Sequence, residues 1–466
     1  MDILETAIII SCLPILGVGL LGSRILRPLA LLLLILPAAL VAIHSLVGGL
    51  RSSMIPVYLV TAFLGLLGLI GAFSQNASMP PSFMKLGTLC ILCLLAMGVF
   101  LAWWYPIFEL PRPPGSYPIG SRIFELDRVG QEKQLMRALT VQIWYPATKD
   151  AEGKRMPYLS SGESWGFGFF SSFRMARTHA YTNARISKVM KKWPVIIYSP
   201  PWEGGTFQNT MLFESLASEG FIVVAVELPV TSATLPPLDF GTEESIRQFQ
   251  IAAHHELEAR TSDVLRVFSA LRGLNAGTLD SGMFKSRLNL QEVGVMGYSF
   301  GGAVSAEALT REPRLRAGVN FDGALFGNAA QQGAKQPFLF VTDTDPTPSN
   351  RDLHSSDPAM RRNAEFYWQS LKQMNDWLDT HGGWLIQIQG AHHTTYCDIS
   401  LYAYRGKFNE AKRKKATNIL EKINSCTLAF FDQTLRGNSP PLMQKNFFPW
   451  PDVEIRKFNP RQVNTP

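Results

Sequence analysis

Residues 291–310 read QEVGVMGYSFGGAVSAEALT, and they join a short apolar run to an alanine-rich segment through a glycine-rich turn. The apolar run predicts a buried β-strand, and the alanine-rich segment predicts a helix. The turn between them, GYSFG at 297–301, matches the G-x-S-x-G pattern, in which a sharp strand-to-helix turn lifts a serine to the carboxyl edge of a sheet. Glycines flank that serine because side chains would collide there. Ser299 is therefore the predicted nucleophile.

Strand-like and helix-like segments alternate on both sides of this turn. Strands are predicted at 139–146, 193–200, 221–229, 291–297, 316–322, 337–343 and 384–390, and further helices at 209–220, 243–274, 360–380 and 416–436. Near-continuous apolar strands that alternate with helices indicate a mostly parallel sheet with helices on both faces. Together with the serine turn, this pattern predicts an α/β-hydrolase fold.

The N-terminal part of the chain is much more apolar than the rest. Its apolar stretches lie at 3–22, 28–50, 55–73 and 86–105. Each approaches the ~20 residues that a helix needs to cross a bilayer core, and Trp103, Trp104 and Tyr105 end the last one like an interfacial aromatic belt. We therefore expect a multi-pass membrane domain of about four transmembrane helices at residues 1–105.

The basic residues near these stretches bear on the orientation in the membrane. An even number of spans places both termini on the same side. Arg24, Arg27 and Lys85 favour a cytoplasmic position for the loops that contain them, whereas Arg51 and Arg112 favour the opposite orientation. The balance favours a catalytic domain on the extracytoplasmic side.

The segment ELPRPPGSYPIG at 109–120 is typical of a linker. The predicted organisation is a membrane domain at 1–105, a linker at 106–120, a catalytic α/β-hydrolase domain at 121–440 and a loop-like C-terminal tail at 441–466. An aromatic-rich insertion, SWGFGFFSSFRM at 164–175, fits both packing under a loop and a membrane-facing lid or acyl-pocket wall.

Charge and cysteine content exclude several classes of function. Residues 1–105 contain four of the 44 Lys and Arg residues and two of the 37 Asp and Glu residues, so the remaining charges nearly balance. Such a balance predicts no nucleic-acid partner, which would need clustered Lys and Arg. The five cysteines form neither a disulfide-rich pattern nor a paired zinc motif. We expect no metal or organic cofactor, and the pattern does not predict an oligomeric state.

A nucleophilic serine needs a histidine that is oriented by a carboxylate, and in this fold the chain order is serine, acid, histidine. The histidines that follow Ser299 are His354, His381, His392 and His393. His392 and His393 come directly after the last predicted parallel strand, where the base is expected. For the acid, Asp322 follows one strand and Asp343 and Asp345 follow the next, and the spacing allows all three.

Several motifs in order resemble the platelet-activating factor acetylhydrolase family. They are IWYP at 143–146, LASEGFIVVAVE at 216–227, GYSFGG at 297–302, NFDGALFG at 320–327 and GAHHTTY at 390–396. Members of that family are α/β-hydrolase serine lipases that cleave short or oxidised sn-2 acyl chains from phospholipids. The resemblance covers about residues 118–436. It implies that Ser299 is the nucleophile, Asp322 the acid and His393 the base, with His392 a near neighbour.

An oxyanion hole needs two backbone N–H donors, of which the residue after the nucleophile, Phe300, supplies one. The second comes from a loop that usually reads S-H-G-x-G in the family, but this chain has SPPWEGG at 199–205. Proline has no N–H, so Pro200 and Pro201 cannot donate, and the register leaves Trp202. We expect the backbone N–H groups of Phe300 and Trp202 to form the hole.

The sequence therefore predicts a membrane-anchored carboxylic ester hydrolase, a lipase-like enzyme acting on short or modified sn-2 acyl chains of phospholipids through an acyl-enzyme. Two alternatives stay open. One is a serine esterase acting on non-phospholipid esters, such as polyesters or small esters. The other is a non-catalytic membrane protein with a hydrolase fold, which the unusual Pro-Pro loop would suit.

Overall fold

A computed structural model describes most of the chain. The described residues are 3–21, 27–47, 50–73, 81–107, 109–126, 139–159, 176–202, 204–227, 239–343, 348–404, 406–444 and 449–461. The chain divides into two compact units. Unit 1 comprises Met1–Leu110, Pro157–Arg177 and Tyr402–Arg413, and unit 2 comprises Pro111–Met156, Thr178–Leu401 and Lys414–Pro466. Asp345 and the insertion at 164–175 lie outside the described residues.

Unit 1 contains four long N-terminal helices. They are α1 (Ile3–Leu21), α2 (Arg27–Val47), α3 (Ile55–Phe73) and α4 (Pro81–Trp104). Their shared core includes Ile8, Val57 and Leu95, which are at most 4% exposed. A buried ion pair lies among the helix ends, with Arg51 Nη1 2.5 Å from Glu5 Oε1. Burial of two charges is tolerated here because each satisfies the other.

The expectation of four transmembrane helices is not supported. Among the described residues, one helical stretch, Lys85–Trp104, is long and apolar enough to cross a membrane. The other apolar helical stretches are Ile3–Pro14, Ile35–Leu46 and Ser52–Leu66, which are 10–17 residues long. A helix needs about 20 apolar residues to cross a bilayer core, and among the described residues one stretch meets that requirement. The multi-pass topology is therefore not supported either.

Unit 2 is built on a sheet with ten strands among the described residues. They are β1 (Ile119–Leu126), β2 (Leu139–Pro146), β3 (Tyr181–Thr182), β4 (Trp193–Ser199), β5 (Ile222–Val226), β6 (Leu288–Tyr298), β7 (Ala317–Phe321), β8 (Phe338–Thr342), β9 (Gly383–Ile388) and β10 (Val453–Phe458). Their order across the sheet is β10-β9-β8-β7-β6-β4-β5-β2-β1-β3. Strands β5, β4, β6, β7, β8 and β9 pair in parallel, and β2 and β10 pair antiparallel with β5 and β9.

The remaining helices of the chain connect these strands. They are α5 (Thr210–Ser218), α6 (Glu243–Ala276), α7 (Phe300–Arg311), α8 (Gly327–Gln332), α9 (Asn350–Leu353), α10 (Pro358–His381), α11 (Ile399–Ala403) and α12 (Glu410–Arg436). Helix α6 has well-formed ends: the Thr242 side chain accepts a hydrogen bond from the Ser245 N–H, and Gly277 ends the helix at φ 80°. Such caps satisfy backbone groups that a helix otherwise leaves unpaired.

The fold prediction is confirmed in its central part. The mostly parallel sheet with helices on both faces is the α/β-hydrolase arrangement. Strand β6, which leads to Ser299, is buried through Val293 and Val295, as its apolar run predicts.

The peripheral strands are where the prediction was incomplete. Strand β1 begins inside the predicted linker, and β10 lies in the predicted loop-like tail, where it pairs antiparallel with β9. The sequence of β10, VEIRKF, lacks an apolar run. A strand at the edge of a sheet is partly exposed to solvent, so polar side chains are tolerated along it. Cys397 and Cys426 are both buried with free thiols.

Candidate active site

The turn at Ser299 has a backbone that few residues adopt. Strand β6 ends at Tyr298, Ser299 has φ 55° and ψ −123°, and α7 begins at Phe300. A Cβ at Gly297 would overlap the carbonyl group of Gly301, and a Cβ at Gly301 would overlap the carbonyl oxygen of Ser199. The two glycines are therefore required by close backbone packing. A positive φ at serine costs on the order of 1–3 kcal/mol, and such strain typically occurs at functional sites.

The structure brings Ser299, Asp322 and His393 together. His393 Nε2 lies 3.0 Å from Ser299 Oγ, and His393 Nδ1 lies 2.5 Å from Asp322 Oδ2. With the proton on Nδ1, the ring donates to the carboxylate and Nε2 is left to accept the serine proton. The His393 side chain is 51% exposed and that of Asp322 is 16% exposed, so the imidazole is accessible to solvent while the carboxylate is mostly covered.

A tight turn after β7 positions Asp322. The Asp322 N–H donates to the carbonyl of Val341 at 2.9 Å, and its φ is 55°. The side chain of Asn320 closes the turn, since it accepts from the Gly323 N–H and donates to the Gly323 carbonyl, each at 2.8 Å. These bonds hold the carboxylate at the carboxyl edge of the sheet.

Tyr298, the residue before Ser299, contacts the histidine loop. Its hydroxyl donates to the carbonyl of His393 at 2.7 Å, and the two rings lie 5.2 Å apart. Burial raises the pKa of Tyr298 well above its ordinary value, so the hydroxyl keeps its proton and remains a donor. The sequence pattern alone does not identify this residue as functional, because the second position of G-x-S-x-G accepts many side chains.

The described contacts of the other candidate residues are with different groups. His354 Nδ1 is 2.8 Å from the carbonyl oxygen of Asn350 at the end of α9, and His381 is the last residue of α10. The His392 N–H donates to Thr395 Oγ1 at 2.8 Å. Asp343 follows β8, and its backbone carbonyl accepts from Gln387 Nε2 at 3.2 Å. Of the described candidates, Asp322 is the carboxylate that contacts His393.

The two residues expected to supply the oxyanion donors contact each other through their side chains. Phe300 is the first residue of α7, where the positive end of the helix dipole favours negative charge. The ring of Trp202 packs edge-on against the ring of Phe300, with centroids 4.4 Å apart. In the described part of the chain, no group of three or more His, Cys, Asp or Glu side chains is arranged to hold a metal ion.

Comparison with known proteins shows the family of this chain. The family model described as platelet-activating factor acetylhydrolase, isoform II, matches residues 106–437, which is well over half of the chain. The chain belongs to this family. Its relatives are esterases, and the chain is accordingly a carboxylic ester hydrolase.

Individual relatives are distant in sequence. A probable 1-alkyl-2-acetylglycerophosphocholine esterase of Arthroderma benhamiae is 21% identical over 410 residues, which are 78% of this chain and 97% of the relative. The platelet-activating factor acetylhydrolase of Cavia porcellus is 25% identical over 299 residues, 56% of this chain and 61% of the relative. The solved ferulic acid esterase from Streptomyces cinnamoneus has a TM-score of 0.54 and 22% identity, and the match covers 75% of this chain and 99% of the esterase. That likeness confirms the fold.

Replacing Asp322 with asparagine is expected to lower kcat by about 10⁴-fold with the fold retained. The amide can donate to Nδ1, which turns the imidazole to the tautomer that is protonated at Nε2 and unable to accept the serine proton. Steady-state kinetics on a short-chain ester measures this, with Asp343→Asn and Asp345→Asn as controls that should remain near wild type. A larger loss in either control than in Asp322→Asn would move the acid to the segment after β8.

Proposed function

We propose that this protein is a serine hydrolase that cleaves short or modified acyl chains from the sn-2 position of phospholipids. The observation that carries the proposal is the line of contacts from Ser299 Oγ through the His393 ring to Asp322 Oδ2, at 3.0 and 2.5 Å. This arrangement suits acyl transfer through a covalent intermediate. The substrate class is supported by relatives named as acetylhydrolases and as a 1-alkyl-2-acetylglycerophosphocholine esterase.

In the proposed reaction, Ser299 Oγ attacks the acyl carbonyl while His393 Nε2 takes the serine proton. Asp322 stabilises the imidazolium and holds its orientation. The tetrahedral intermediate collapses, the ester bond to the glycerol oxygen breaks, and His393 returns the proton to that oxygen. Water then attacks the acyl-enzyme with the same histidine as base, which releases the fatty acid and restores Ser299.

The negative oxygen of each tetrahedral intermediate needs donors that are already in place. The Phe300 N–H and the Trp202 N–H are the proposed pair. Removal of one such donor costs about 3 kcal/mol in the transition state. The proline pair before Trp202 restricts the loop backbone and so supports a fixed position for that N–H.

We further propose that the N-terminal part of the chain attaches the enzyme to a membrane through the helical stretch Lys85–Trp104. Only 22% of this stretch is buried, unlike the core helix of a globular domain. Large apolar side chains along it are exposed, namely Leu86, Leu89, Leu92, Phe100 and Trp103. A continuous exposed apolar surface of this kind fits contact with lipid.

The proposed organisation keeps residues 1–105 as the membrane-attached part and 121–440 as the catalytic domain, joined by the linker at 106–120. All the proposed catalytic and oxyanion residues fall within unit 2. Attachment at a bilayer would raise the local concentration of an amphiphilic ester. A position of the catalytic domain on the extracytoplasmic side stays a prediction from the basic residues.

Hydrolysis measured against acyl length tests the substrate class. The substrates are phospholipids with sn-2 acyl chains from acetyl to palmitoyl and a matched series of simple esters, with Ser299→Ala turnover subtracted. We expect serine-dependent cleavage of the short-chain phospholipids and a steep decline toward palmitoyl. Cleavage of simple esters alone would retain the mechanism and reject the phospholipid assignment. No serine-dependent turnover on either series would favour a ligand-binding role for the fold.

Membrane attachment has its own test. Full-length protein is expected to stay in the membrane pellet after alkaline carbonate extraction. The double variant Leu89→Arg, Leu92→Arg should be released, because each charge in the apolar centre of a helix costs about 2.5–3.5 kcal/mol on insertion. The control variant Leu89→Ile, Leu92→Ile should behave as wild type. Retention of the arginine variant in the pellet would place the membrane contact elsewhere.

A further inference from the structure

The loop that carries Trp202 is held by a buried arginine from a distant part of the chain. Arg260 lies on α6 and is 2% exposed. Its Nη1 donates to the carbonyl oxygens of Pro201 at 2.9 Å and Pro200 at 3.3 Å, and its Nη2 donates to that of Trp202 at 2.9 Å. One rigid guanidinium thus binds three successive carbonyl groups.

The guanidinium is itself oriented from two directions. Its Nε donates to Glu256 Oε1 at 2.6 Å, one turn earlier on α6. Its central carbon lies 5.3 Å from the ring centroid of Phe300, which suits a cation–π contact. Arg260 therefore contacts both residues whose N–H groups are the proposed oxyanion donors.

Peptide geometry links these contacts to the direction of the Trp202 N–H. The Trp202 N–H and the Pro201 carbonyl belong to the same peptide unit, and no described peptide bond of the chain is cis. In a planar trans peptide the C=O and N–H point in opposite directions. The Pro201 carbonyl also accepts from the Gly204 N–H at 3.4 Å. Holding that carbonyl on Arg260 therefore sets where the Trp202 N–H points.

We propose that Arg260 is a positioning residue for the oxyanion hole, because it fixes the Pro201–Trp202 peptide with its N–H toward the oxygen of the tetrahedral intermediate. The inference rests on the proposed function. It also explains how a loop with two prolines replaces a glycine loop: the prolines supply no N–H, and their carbonyl groups give the arginine two acceptors. Glu256 acts through Arg260, because its hydrogen bond to Nε holds the planar guanidinium group in its orientation.

The test uses full-length protein in detergent and a soluble acetyl ester together with its thionoester, in which C=S replaces C=O. Arg260→Met keeps the length of the side chain and removes the donors, so we expect kcat to fall by about 10- to 100-fold with KM little changed. Sulfur is larger and a weaker acceptor, so the thionoester gains little from the hole and its rate should fall less. Arg260→Lys should recover part of kcat, because its ammonium group can still donate hydrogen bonds, without the fixed geometry of the guanidinium.

Arg436 offers a matched control outside this site. Its Nη2 donates to the carbonyl oxygens of Glu219 at 2.9 Å and Gly220 at 2.7 Å, and its guanidinium lies 3.9 Å from the Phe221 ring centroid. Arg436→Met should lower Tm and leave kcat and the ester-to-thionoester ratio as in wild type. Comparison of the two variants distinguishes the loss of an arginine that only stabilises the fold from the loss of one that positions an oxyanion donor.

The outcomes are distinct. Equal losses on the ester and the thionoester in Arg260→Met, or no recovery in Arg260→Lys, would overturn the positioning role. If Arg260→Met does not fold, Glu256→Gln carries the test, since it leaves the arginine in place and should lower the ester-to-thionoester ratio. An unchanged ratio there would count against the proposal. Wild-type protein without Ser299-dependent turnover would reject the proposed function, and this inference with it.

Discussion

Ser299→Ala is expected to lower kcat on short-chain esters by on the order of 10⁶-fold while KM changes little. The substitution removes the atom that forms the acyl-enzyme, and the remaining donors stabilise only a direct attack by water. Alanine and serine differ by one oxygen, so the backbone at φ 55° is no more strained in the variant than in wild type. The fall in kcat is therefore expected to come from the lost chemical step, and the free energy of unfolding should be almost unchanged.

Ser305 is the matched control for this substitution. It lies on the same helix, α7, is fully buried, and its Oγ donates to the carbonyl oxygens of Gly302 at 2.8 Å and Val319 at 2.9 Å. Ser305→Ala should cost about 1 kcal/mol in the free energy of unfolding and leave kcat unchanged. Kinetics and thermal unfolding on both variants make the comparison. If Ser299→Ala keeps even a tenth of wild-type kcat, the nucleophile is another group.

His393→Ala is expected to be as damaging as Ser299→Ala, because residues that act as one unit lose nearly the whole effect when either is removed. Without Nε2 at 3.0 Å, the serine proton has no acceptor at neutral pH and the leaving oxygen has no donor. The effect should appear in kcat on any ester that the enzyme cleaves. Far-ultraviolet circular dichroism should match wild type, since the His393 side chain is half exposed.

The neighbouring histidine provides the control for His393. His392 is exposed and its described backbone contact is to Thr395, so His392→Ala should keep most of the activity. Adjacent residues in an extended loop point their side chains apart, and only one of the two can reach the serine. A dead His392→Ala beside an active His393→Ala would shift the base by one residue.

Part of the site could be predicted from the sequence because local geometry dictates it. The turn alone predicted that positions 297 and 301 need glycine. The structure gives the reason, because backbone carbonyl groups approach both residues closely. The order serine, acid, histidine narrowed the partners to a few positions after parallel strands. Residues alone left three aspartates open, and it was the family resemblance that favoured Asp322 and His393, which the structure brings to Ser299.

Other features could not be predicted because they depend on contacts between distant segments. Arg260 lies in the middle of α6, where the helical pattern does not distinguish it from an ordinary surface arginine. Its carbonyl partners lie about 60 residues earlier in the chain. Tyr298 was visible in the motif, but its bond to the His393 carbonyl spans 95 residues. The apolar composition of residues 1–105 predicted four membrane spans, whereas among the described residues one helical stretch is long and apolar enough to cross a membrane.

By itself, the sequence determined the class of fold and predicted which serine is the nucleophile, because strand–helix alternation and a strained glycine-flanked turn are local consequences of residue size and polarity. Only the tertiary structure shows that Asp322 and His393 meet Ser299, and which side chain holds the Pro-Pro loop. Those choices depend on how the carboxyl ends of β6 and β7 and the loop after β9 converge. Such convergence is set by the packing of the whole sheet, which no short stretch of the chain encodes.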